Sequence, residues 1–261
     1  MRLGRIAHPQ GVAFVAIEPA PADTPGGGDV AREIADHPFG TPTFTGRSWP
    51  MADVRLLAPI LPSKVVAVGR NYADHAAELG NPLPTTPLLF LKPSTSVIGP
   101  FVAVQIPPSS EQVDFEGELA VVIGRPCRDV PAADAGSVIL GYTVANDVTA
   151  RDLQRADVQF TRAKSFDTFC PLGPWIETEL DPGDVGIRTE LDGEVRQDGH
   201  SAQMVFTVGE LVEFASSIMT LLPGDVILTG TPAGVGPMAA GQTVAVTVEG
   251  IGTLQNPVVR R

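Results

Sequence analysis

The sequence has few cysteines, few aromatic residues and too few basic residues to balance its acidic ones. Its two cysteines, Cys127 and Cys170, are too few for a disulfide framework, so we expect a reducing, cytoplasmic compartment. Aromatic residues make up 6% of the chain, and 18 basic residues stand against 30 acidic ones, giving a net charge of −12. Such a chain repels nucleic acids and anionic membranes, so neither is an expected partner. An anionic substrate would need local positive charge, from a metal ion or from a few Lys and Arg side chains.

Long apolar runs are also missing. No segment approaches the roughly 20 residues of a membrane-spanning helix, and the N-terminal MRLGRIAHPQ lacks the apolar stretch of a signal peptide. Hydrophobic residues still make up 43% of the 261 residues, enough for a substantial core. The 27 glycines and 25 prolines favour many strands and turns over long helices. We therefore expect a mixed, β-rich α+β fold.

Local patterns divide the chain into a small N-terminal unit, residues 1–57, and a main unit, residues 58–261. In the first unit RLGRIA and GVAFVAIE predict a strand pair, APADTPGGGD predicts a loop, and residues 30–36 predict a short helix. In the second unit strands are predicted in KVVAVG, LLFLKPS, DFEGELAVVIG, VILGYTVANDV and GDVIL. The dipeptide Asp192-Gly193 predicts the tight turn of a hairpin in RTELDGEVRQDG.

Two helix starts carry the spacing of a capping box. Thr149 and Asp152 predict that a helix begins at Thr149 in TARDLQRAD, although Asp replaces the usual Glu or Gln. Thr207 and Glu210 predict the start of a second helix in TVGELVEFASSIM. This second helix should pack through one apolar stripe, formed by Leu211, Phe214, Ala215 and Ile218.

Three acidic residues stand out among apolar ones. Glu116 and Glu118 share one face of a predicted buried strand, with Cα atoms about 7 Å apart. Like charges beside a core need protonation or a cation, unless this end of the strand is solvated. Asp147 ends the next strand and by itself is typical of a turn or cap. Together the three carboxylates would form an all-oxygen site of the kind that suits Mg²⁺, Ca²⁺ or Mn²⁺.

Other polar residues have both an ordinary and a functional interpretation. His75 and Glu78 could form an exposed helix pair or half of an active site. Lys164 is typical of an exposed lysine when taken alone. The Gly-rich LTGTPAGVG could bring backbone N–H groups to an anion, but it lacks a following Gly-Lys-Ser/Thr, and a plain turn is its default interpretation. The histidines offer no zinc-ligand spacing; they are His8, His37, His75 and His200.

Six sequence blocks occur together in order: VGRNYADHAAE, LFLKPS, DFEGELAVVIG, NDVTARDLQ, AKSFDTFCPLGPW and LTGTPAGVG. From about Ser63 to near Gly250 the chain closely resembles the fumarylacetoacetate hydrolase family, in particular its shorter members. These include acylpyruvases, oxaloacetate decarboxylases and the isomerase/decarboxylases of homoprotocatechuate breakdown. The resemblance implies a β-roll with flanking helices, a homodimer, and a small N-terminal domain like that of many bacterial members.

The resemblance also assigns roles to residues. It implies that Glu116, Glu118 and Asp147 bind Mg²⁺ or Mn²⁺, with Ca²⁺ as a substitute. It implies a catalytic dyad of His75 and Glu78 on a segment that closes over substrate, with Lys164 as the catalytic lysine beside the metal. The positions expected to touch substrate are Arg70, Tyr72, Gln154 and Thr231. Lys92 also matches a motif position of the family.

The activity implied is divalent-metal-dependent C–C bond cleavage of a small 2-oxo or 2,4-dioxo acid through a metal-stabilised enolate. Acylpyruvate hydrolysis and oxaloacetate decarboxylation both fit, and isomerisation of 2-hydroxyhepta-2,4-diene-1,7-dioate in aromatic catabolism is the alternative. Two other classes stay open: a glycosidase built on Glu116 and Glu118, and a non-catalytic protein that binds a metal and a dicarboxylate. The segments LGNPLPTTP and RADVQFTR should determine the substrate, but their sequences do not identify it.

Overall fold

The computed structural model describes residues 1–20, 28–78, 80 and 82–261. Most of the predicted loop APADTPGGGD and two positions of LGNPLPTTP lie outside the described residues. The strands are β1 Arg2–His8, β2 Gly11–Pro19, β3 Asp29–Ile34, β4 Phe44–Pro50, β5 Arg55–Leu56, β6 Lys64–Gly69, β7 Leu88–Pro93, β8 Val97–Ile98, β9 Val104–Ile106, β10 Val113–Phe115, β11 Gly117–Ile123, β12 Ile139–Asn146, β13 Thr149–Ala150, β14 Cys170–Glu177, β15 Gly186–Leu191, β16 Glu194–His200, β17 Val226–Leu228, β18 Gly236–Pro237, β19 Thr243–Val248 and β20 Gly252–Arg260.

Helices are short and few within the described residues. The α-helices are α1 Ala73–Glu78, α2 Arg151–Ala156, α3 Thr161–Lys164 and α4 Val208–Ile218. Short 3₁₀ segments occur at Met51–Asp53, Ser94–Ser96, Ala132–Ser137 and Ser201–Gln203. The β-rich α+β expectation is confirmed.

Strand pairing builds one large sheet and two smaller ones. The large sheet has the order β4-β3-β2-β1-β14-β12-β11-β17-β6-β7, with β5 paired to β1 and β8 to β14. A five-stranded sheet has the order β16-β15-β19-β20-β9, and a three-stranded sheet has the order β13-β10-β18. The antiparallel β11–β12 pair, with Gly117 opposite Asn146, places the end of β12 beside the start of β11. This pairing positions the candidate site.

The segment formed by the end of β10 and by β11 is buried on both faces. Phe115, Leu119 and Val121 belong to the larger core, which also contains apolar residues of the five-stranded sheet and α4. Ala120 and Val122 belong to a second core on the opposite face. The alternation of faces predicted for this segment is therefore confirmed, and so is its burial on both sides.

Several local predictions are confirmed. β1 and β2 form the first hairpin, with His8 opposite Gly11. β15 and β16 form the second, and its turn residues Asp192 and Gly193 have φ values of 53° and 82°, as a primed turn requires. The hydroxyl of Thr207 caps α4, and the Glu210 side chain completes the capping box.

The helix predicted over residues 30–36 is wrong, because β3 occupies Asp29–Ile34. This segment pairs with β2 on one side and β4 on the other, so both neighbours satisfy its backbone polar groups. Local patterns carry little information about such long-range pairing. The division of the chain after residue 57 stays a prediction.

Two details of the predicted helices also need correction. Thr149 lies in β13 rather than capping a helix, because it pairs with Asp114 and its hydroxyl donates to the Asp147 carbonyl at 2.8 Å. In α4, Leu211 and Ala215 are buried as predicted, but Phe214 is half-buried and Ile218 is 53% exposed. The buried face instead includes Val208, Val212 and Ser216. Among the described residues, every helix is too short or too polar to cross a bilayer.

Candidate active site

Three buried carboxylates converge where β11 meets β12. Glu116 lies in the break between β10 and β11, Glu118 lies on β11, and Asp147 follows β12 directly. One oxygen of each lies within 4.8 Å of the others. The Asn146 side chain accepts the Glu116 backbone N–H at 2.9 Å, and the Asp147 N–H donates to the Glu116 carbonyl at 2.8 Å. Solvation of this strand end, the ordinary interpretation of the pair, is wrong because Glu116 is 4% exposed and Glu118 is 1% exposed.

Two cationic side chains neutralise Glu116. Lys164 Nζ lies 2.7 Å from Glu116 Oε2 and 2.6 Å from Asp147 Oδ2. Arg151 donates to Glu116 Oε1 at 2.6 Å and to Asp114 Oδ2 at 2.8 Å. The interpretation of Lys164 as an exposed lysine is wrong, since the side chain is buried. α3 carries Lys164 into the site.

A third cation, Lys92 on β7, donates to Asp147 Oδ1 and is fully buried. Glu118 differs from the other two carboxylates: the partner it has among the described residues is the Gly230 backbone N–H, which donates to Oε2 at 2.7 Å. Within the described part of the chain, four buried carboxylates, including that of Asp114, therefore face three buried cations, and Glu118 is the one without a contacting cation.

This arrangement shifts the pKa values of neighbouring carboxyls in opposite directions. Burial alone would raise the pKa of Glu116, but the charges of Lys164 and Arg151 outweigh it and lower that pKa far below its ordinary value. Burial and the nearby charges of Asp147 and Glu116 raise the pKa of Glu118 well above its ordinary value. A cation bound beside Glu118 would remove that penalty.

The cluster fits a hard divalent ion. Its donors are carboxylate oxygens, which Mg²⁺ and Mn²⁺ prefer, and neither Cys nor His belongs to the set of three. The excess of buried negative charge at Glu118 has the sign that such an ion requires. Glu116, Glu118 and Asp147 are the residues that would hold it.

The predicted dyad lies beside this cluster on α1. His75 Nδ1 is 3.3 Å from Glu78 Oε2, and Glu78 in turn accepts the Gly234 backbone N–H at 3.1 Å from Oε1. His75 is buried, whereas Glu78 is about one-third exposed. The start of α1 is fixed by Asn71, whose side chain bonds Thr229 and Phe206 backbone groups. The exposed-helix interpretation of the pair is therefore wrong for His75.

A cavity of about 240 Å³ opens over Glu116 and Glu118 of the cluster and over His75 of the dyad. This is a small volume for a ligand site, so it suits a compact acid. Its lining comprises Val68, Gly69, Arg70, His75, Phe90, Glu116, Glu118, Arg151, Gln154, Arg155, Phe160, Lys164 and Thr231.

The structure brings three of the four predicted substrate contacts to this cavity: Arg70, Gln154 and Thr231. Tyr72 is different, since it lines a neighbouring cavity of about 190 Å³. Its buried hydroxyl has no hydrogen-bond partner among the described residues. Burial, followed by the Glu118 charge, raises the pKa of Tyr72 above its ordinary value. Its role as a substrate contact stays a prediction.

Sequence reasoning missed other cavity residues. Arg151 joins Glu116 to Gln154, whose side-chain oxygen accepts its guanidinium N–H at 2.7 Å. Its signal was available: an arginine four residues after Asp147, at the start of a short helix. Phe90 and Phe160 form an edge-to-face pair at the cavity wall, 5.6 Å between ring centroids. Arg155 and Phe160 come from RADVQFTR, the segment expected to determine the substrate.

The family of this chain follows from sequence comparison. The model for the "Fumarylacetoacetate (FAA) hydrolase C-terminal" region matches residues 64–259. The chain belongs to the fumarylacetoacetate hydrolase family. A second model, "Rv2993c-like, N-terminal", matches residues 1–59. The chain is 61% identical to Protein Rv2993c of Mycobacterium tuberculosis over 100% of this chain and 99% of that protein. It is 44% identical to the human mitochondrial oxaloacetate tautomerase FAHD2A over 80% of this chain and 71% of that protein.

Solved structures agree with this assignment. A 5-carboxymethyl-2-hydroxymuconate delta-isomerase from Mycobacterium smegmatis superposes with a TM-score of 0.93 at 63% identity, covering 100% of both chains. A 2-hydroxyhepta-2,4-diene-1,7-dioate isomerase from Mycobacterium marinum gives 0.92 at 60% identity, covering 100% of this chain and 99% of that one. A fumarylpyruvate hydrolase from Pseudomonas aeruginosa, in complex with Mn²⁺ and pyruvate, gives 0.73 at 32% identity over 79% of this chain and 92% of that one. Members of this family are enzymes.

Proposed function

We propose that this protein is a divalent-metal-dependent enzyme that forms and reprotonates the enolate of a small 2-oxo acid. One observation carries the proposal: Glu116 and Glu118 of the carboxylate cluster line the same small cavity as His75 of the His75–Glu78 pair. A bound Mg²⁺ or Mn²⁺ would stabilise the negative charge that develops on such an acid. The open alternative of a non-catalytic binder offers no reason for a buried histidine paired with a carboxylate beside the cluster.

Each side chain has a role in this proposal. Arg70 and Arg155 supply positive charge for the substrate carboxylate in an otherwise acidic chain. Lys164 Nζ lies beside the carboxylates, where it favours negative charge on a ligand oxygen. His75 moves the proton, and Glu78 orients its ring through Nδ1. Gly234 holds Glu78 in turn.

Within this chemistry we place proton transfer, meaning tautomerisation or isomerisation of an oxo diacid, ahead of C–C bond cleavage. The activity implied by the family resemblance was cleavage. The names of the human tautomerase and the two mycobacterial isomerases, all above 40% identity, support proton transfer, whereas the hydrolase is 32% identical. Cleavage by acylpyruvate hydrolysis or oxaloacetate decarboxylation is the second candidate. The glycosidase alternative has little support, since Glu116 and Arg151 are locked in an ion pair. The homodimer and the cytoplasmic compartment stay expectations.

One substrate panel tests the proposed function. Oxaloacetate, acetylpyruvate, fumarylpyruvate and 2-hydroxyhepta-2,4-diene-1,7-dioate would be assayed with Mg²⁺, and kcat/KM compared. With oxaloacetate, enol-to-keto conversion is followed by ultraviolet absorbance and decarboxylation by pyruvate formation in the same sample. We expect EDTA to abolish turnover and Mg²⁺ or Mn²⁺ to restore it. Full activity in the metal-stripped protein would refute the proposal, and pyruvate formation matching enol loss would favour cleavage.

The role of His75 is tested by His75→Ala. The variant should lose about 10²–10⁴-fold in kcat, the range typical of general acid–base catalysis, because it removes the proton carrier. Metal affinity should change by less than about threefold, because His75 is not one of the three oxygen donors. Metal affinity is measured by titration calorimetry with Mn²⁺. A large loss of Mn²⁺ binding would place His75 among the metal ligands instead.

A further inference from the structure

Gln197 is a fully buried side chain whose amide joins three separate parts of the chain. It lies on β16, in the five-stranded sheet, and does not line the cavity. Its Oε1 accepts the Gly117 backbone N–H at 2.9 Å, next to Glu116 and Glu118. Its Nε2 donates to the Pro232 carbonyl and to Thr231 Oγ1, both at 2.7 Å.

Backbone chemistry fixes which end of this amide is oxygen and which is nitrogen. The Gly117 N–H can only donate, so the atom facing it must be Oε1. The Pro232 carbonyl can only accept, so the atom facing it must be Nε2. Both backbone partners give the same orientation, and Nε2 therefore donates its other proton to Thr231.

The Thr231 hydroxyl has no proton left for a ligand, because the Gly117 carbonyl already accepts it. A hydroxyl offers one donor and two acceptor lone pairs. Thr231 Oγ1 donates to the Gly117 carbonyl at 2.8 Å and accepts from Gln197. One acceptor lone pair remains, and Thr231 lines the cavity.

We infer that Gln197 is a positioning residue that fixes the Thr231 hydroxyl as a hydrogen-bond acceptor toward the substrate. The cavity wall at Thr231 therefore selects a ligand that carries an O–H group there, a hydroxyl or an enol, over one that carries a carboxylate or keto oxygen. For an oxo acid this means that the enol form is recognised at this point. The inference rests on the proposed function, and it names the ligand group that the cavity recognises at Thr231.

The same amide also holds the loop between the two halves of the site. Gly230 N–H donates to Glu118, and Gly234 N–H donates to Glu78, so residues 230–234 span from the carboxylate cluster to the dyad. Gln197 binds Pro232 in the middle of that loop. Gly234 has φ 99°, and a Cβ there would collide with the Arg196 carbonyl, so the loop lies directly against β16.

Binding calorimetry on the full-length, Mg²⁺-loaded protein tests the inference without relying on turnover. The probes are succinate and the two enantiomers of malate, which share four carbons and two carboxylates and differ by one hydroxyl. The quantity measured is the ratio of the succinate Kd to the Kd of the tighter malate enantiomer. In Thr231→Val this ratio should fall about 10-fold below the wild-type value, because the acceptor is lost. The ratio left in the variant reports the preference due to metal chelation alone.

Two further variants separate this role from simple structural support. Thr231→Ser keeps the hydroxyl and should keep the wild-type ratio. Gln197→Met removes the N–H that holds Thr231 Oγ1 in place, so the acceptor is no longer fixed toward the ligand. The ratio should then fall about threefold or more, although Thr231 itself is unchanged. Melting temperatures in the presence of Mg²⁺ verify folding. If Thr231→Val does not fold, the other two variants test the inference: the ratio should fall in Gln197→Met and keep its wild-type value in Thr231→Ser.

The outcomes distinguish this inference from the proposed function. An unchanged ratio in the Val or Met variant would overturn the inference and leave the proposed function intact, as would tighter binding of succinate than of either malate by the wild type. Absence of binding by all three diacids would overturn the inferred recognition of an O–H group at Thr231, whereas the proposed function is overturned only if no oxo acid of the panel shows metal-dependent turnover.

Discussion

Lys164→Met should lower the free energy of unfolding of the metal-free protein by about 3–5 kcal/mol, the usual cost of removing one partner of a buried ion pair. The ammonium group bridges Glu116 and Asp147, and without it both carboxylates remain buried beside each other. Saturating Mg²⁺ should restore much of this loss, because a divalent cation compensates the same carboxylates. Activity should remain about 10²–10³-fold below wild type, since an electrostatic contact to the reacting acid is gone.

Urea unfolding with and without Mg²⁺ measures this effect. The matched control is Arg162→Met, two residues away in the same short helix. Arg162 is 56% exposed and pairs with Asp157 at the surface, so its removal should change stability by less than about 0.5 kcal/mol. Equal losses of stability in the two variants would show that Lys164 does not neutralise a buried cluster.

Glu118→Gln should weaken Mn²⁺ binding by about 100-fold or more. Replacing a metal ligand should cost at least as much affinity as replacing a residue that hydrogen-bonds to a ligand. The same change should not destabilise the metal-free protein. The amide oxygen can still accept the Gly230 N–H, and a neutral side chain suits a position where burial and the charges of Asp147 and Glu116 raise the pKa of Glu118. Metal affinity should therefore fall sharply without a loss of stability.

Mn²⁺ calorimetry and thermal melting of the metal-stripped protein give both quantities. Glu213→Gln is the control, because Glu213 lies on the exposed face of α4 and its change alters the net charge by the same amount. It should change neither the Mn²⁺ affinity nor the melting temperature appreciably. Normal Mn²⁺ affinity in Glu118→Gln would remove Glu118 from the metal site.

Sequence patterns predicted the fold best where local and long-range requirements agree. The hairpin at Asp192-Gly193 and the cap at Thr207 depend on neighbouring residues, and both are confirmed. The helix predicted over residues 30–36 failed because β2 and β4 approach from elsewhere in the chain. Thr149 failed for a similar reason: the pairing of β13 with β10 outweighs its capping signal.

At the site, too, local patterns were predictable and long-range contacts were not. Alternation along β11 indicated that Glu116 and Glu118 share a face, but their burial depends on the packing of two sheets. The ion pairs of Lys164 and Arg151 join residues 17 to 48 positions apart, which no local periodicity encodes. The resemblance to the family identified most of the site residues, because a family pattern records which distant residues of the chain act together. It gave no indication of Gln197, whose partners Gly117 and Thr231 lie 80 and 34 positions away.

The surplus of one carboxylate among the seven buried charged groups of the site has a kinetic consequence. Before a divalent ion is present, these buried groups offer an incoming anion no net attraction, and only Arg70 and Arg155 of the cavity lining act against the repulsion from the acidic chain. Afterwards the local charge is positive, and the same anion is drawn in. Binding should therefore be ordered, with the metal ion binding before the acid. The acid then enters the cavity by itself and not as a complex already formed with the metal in solution.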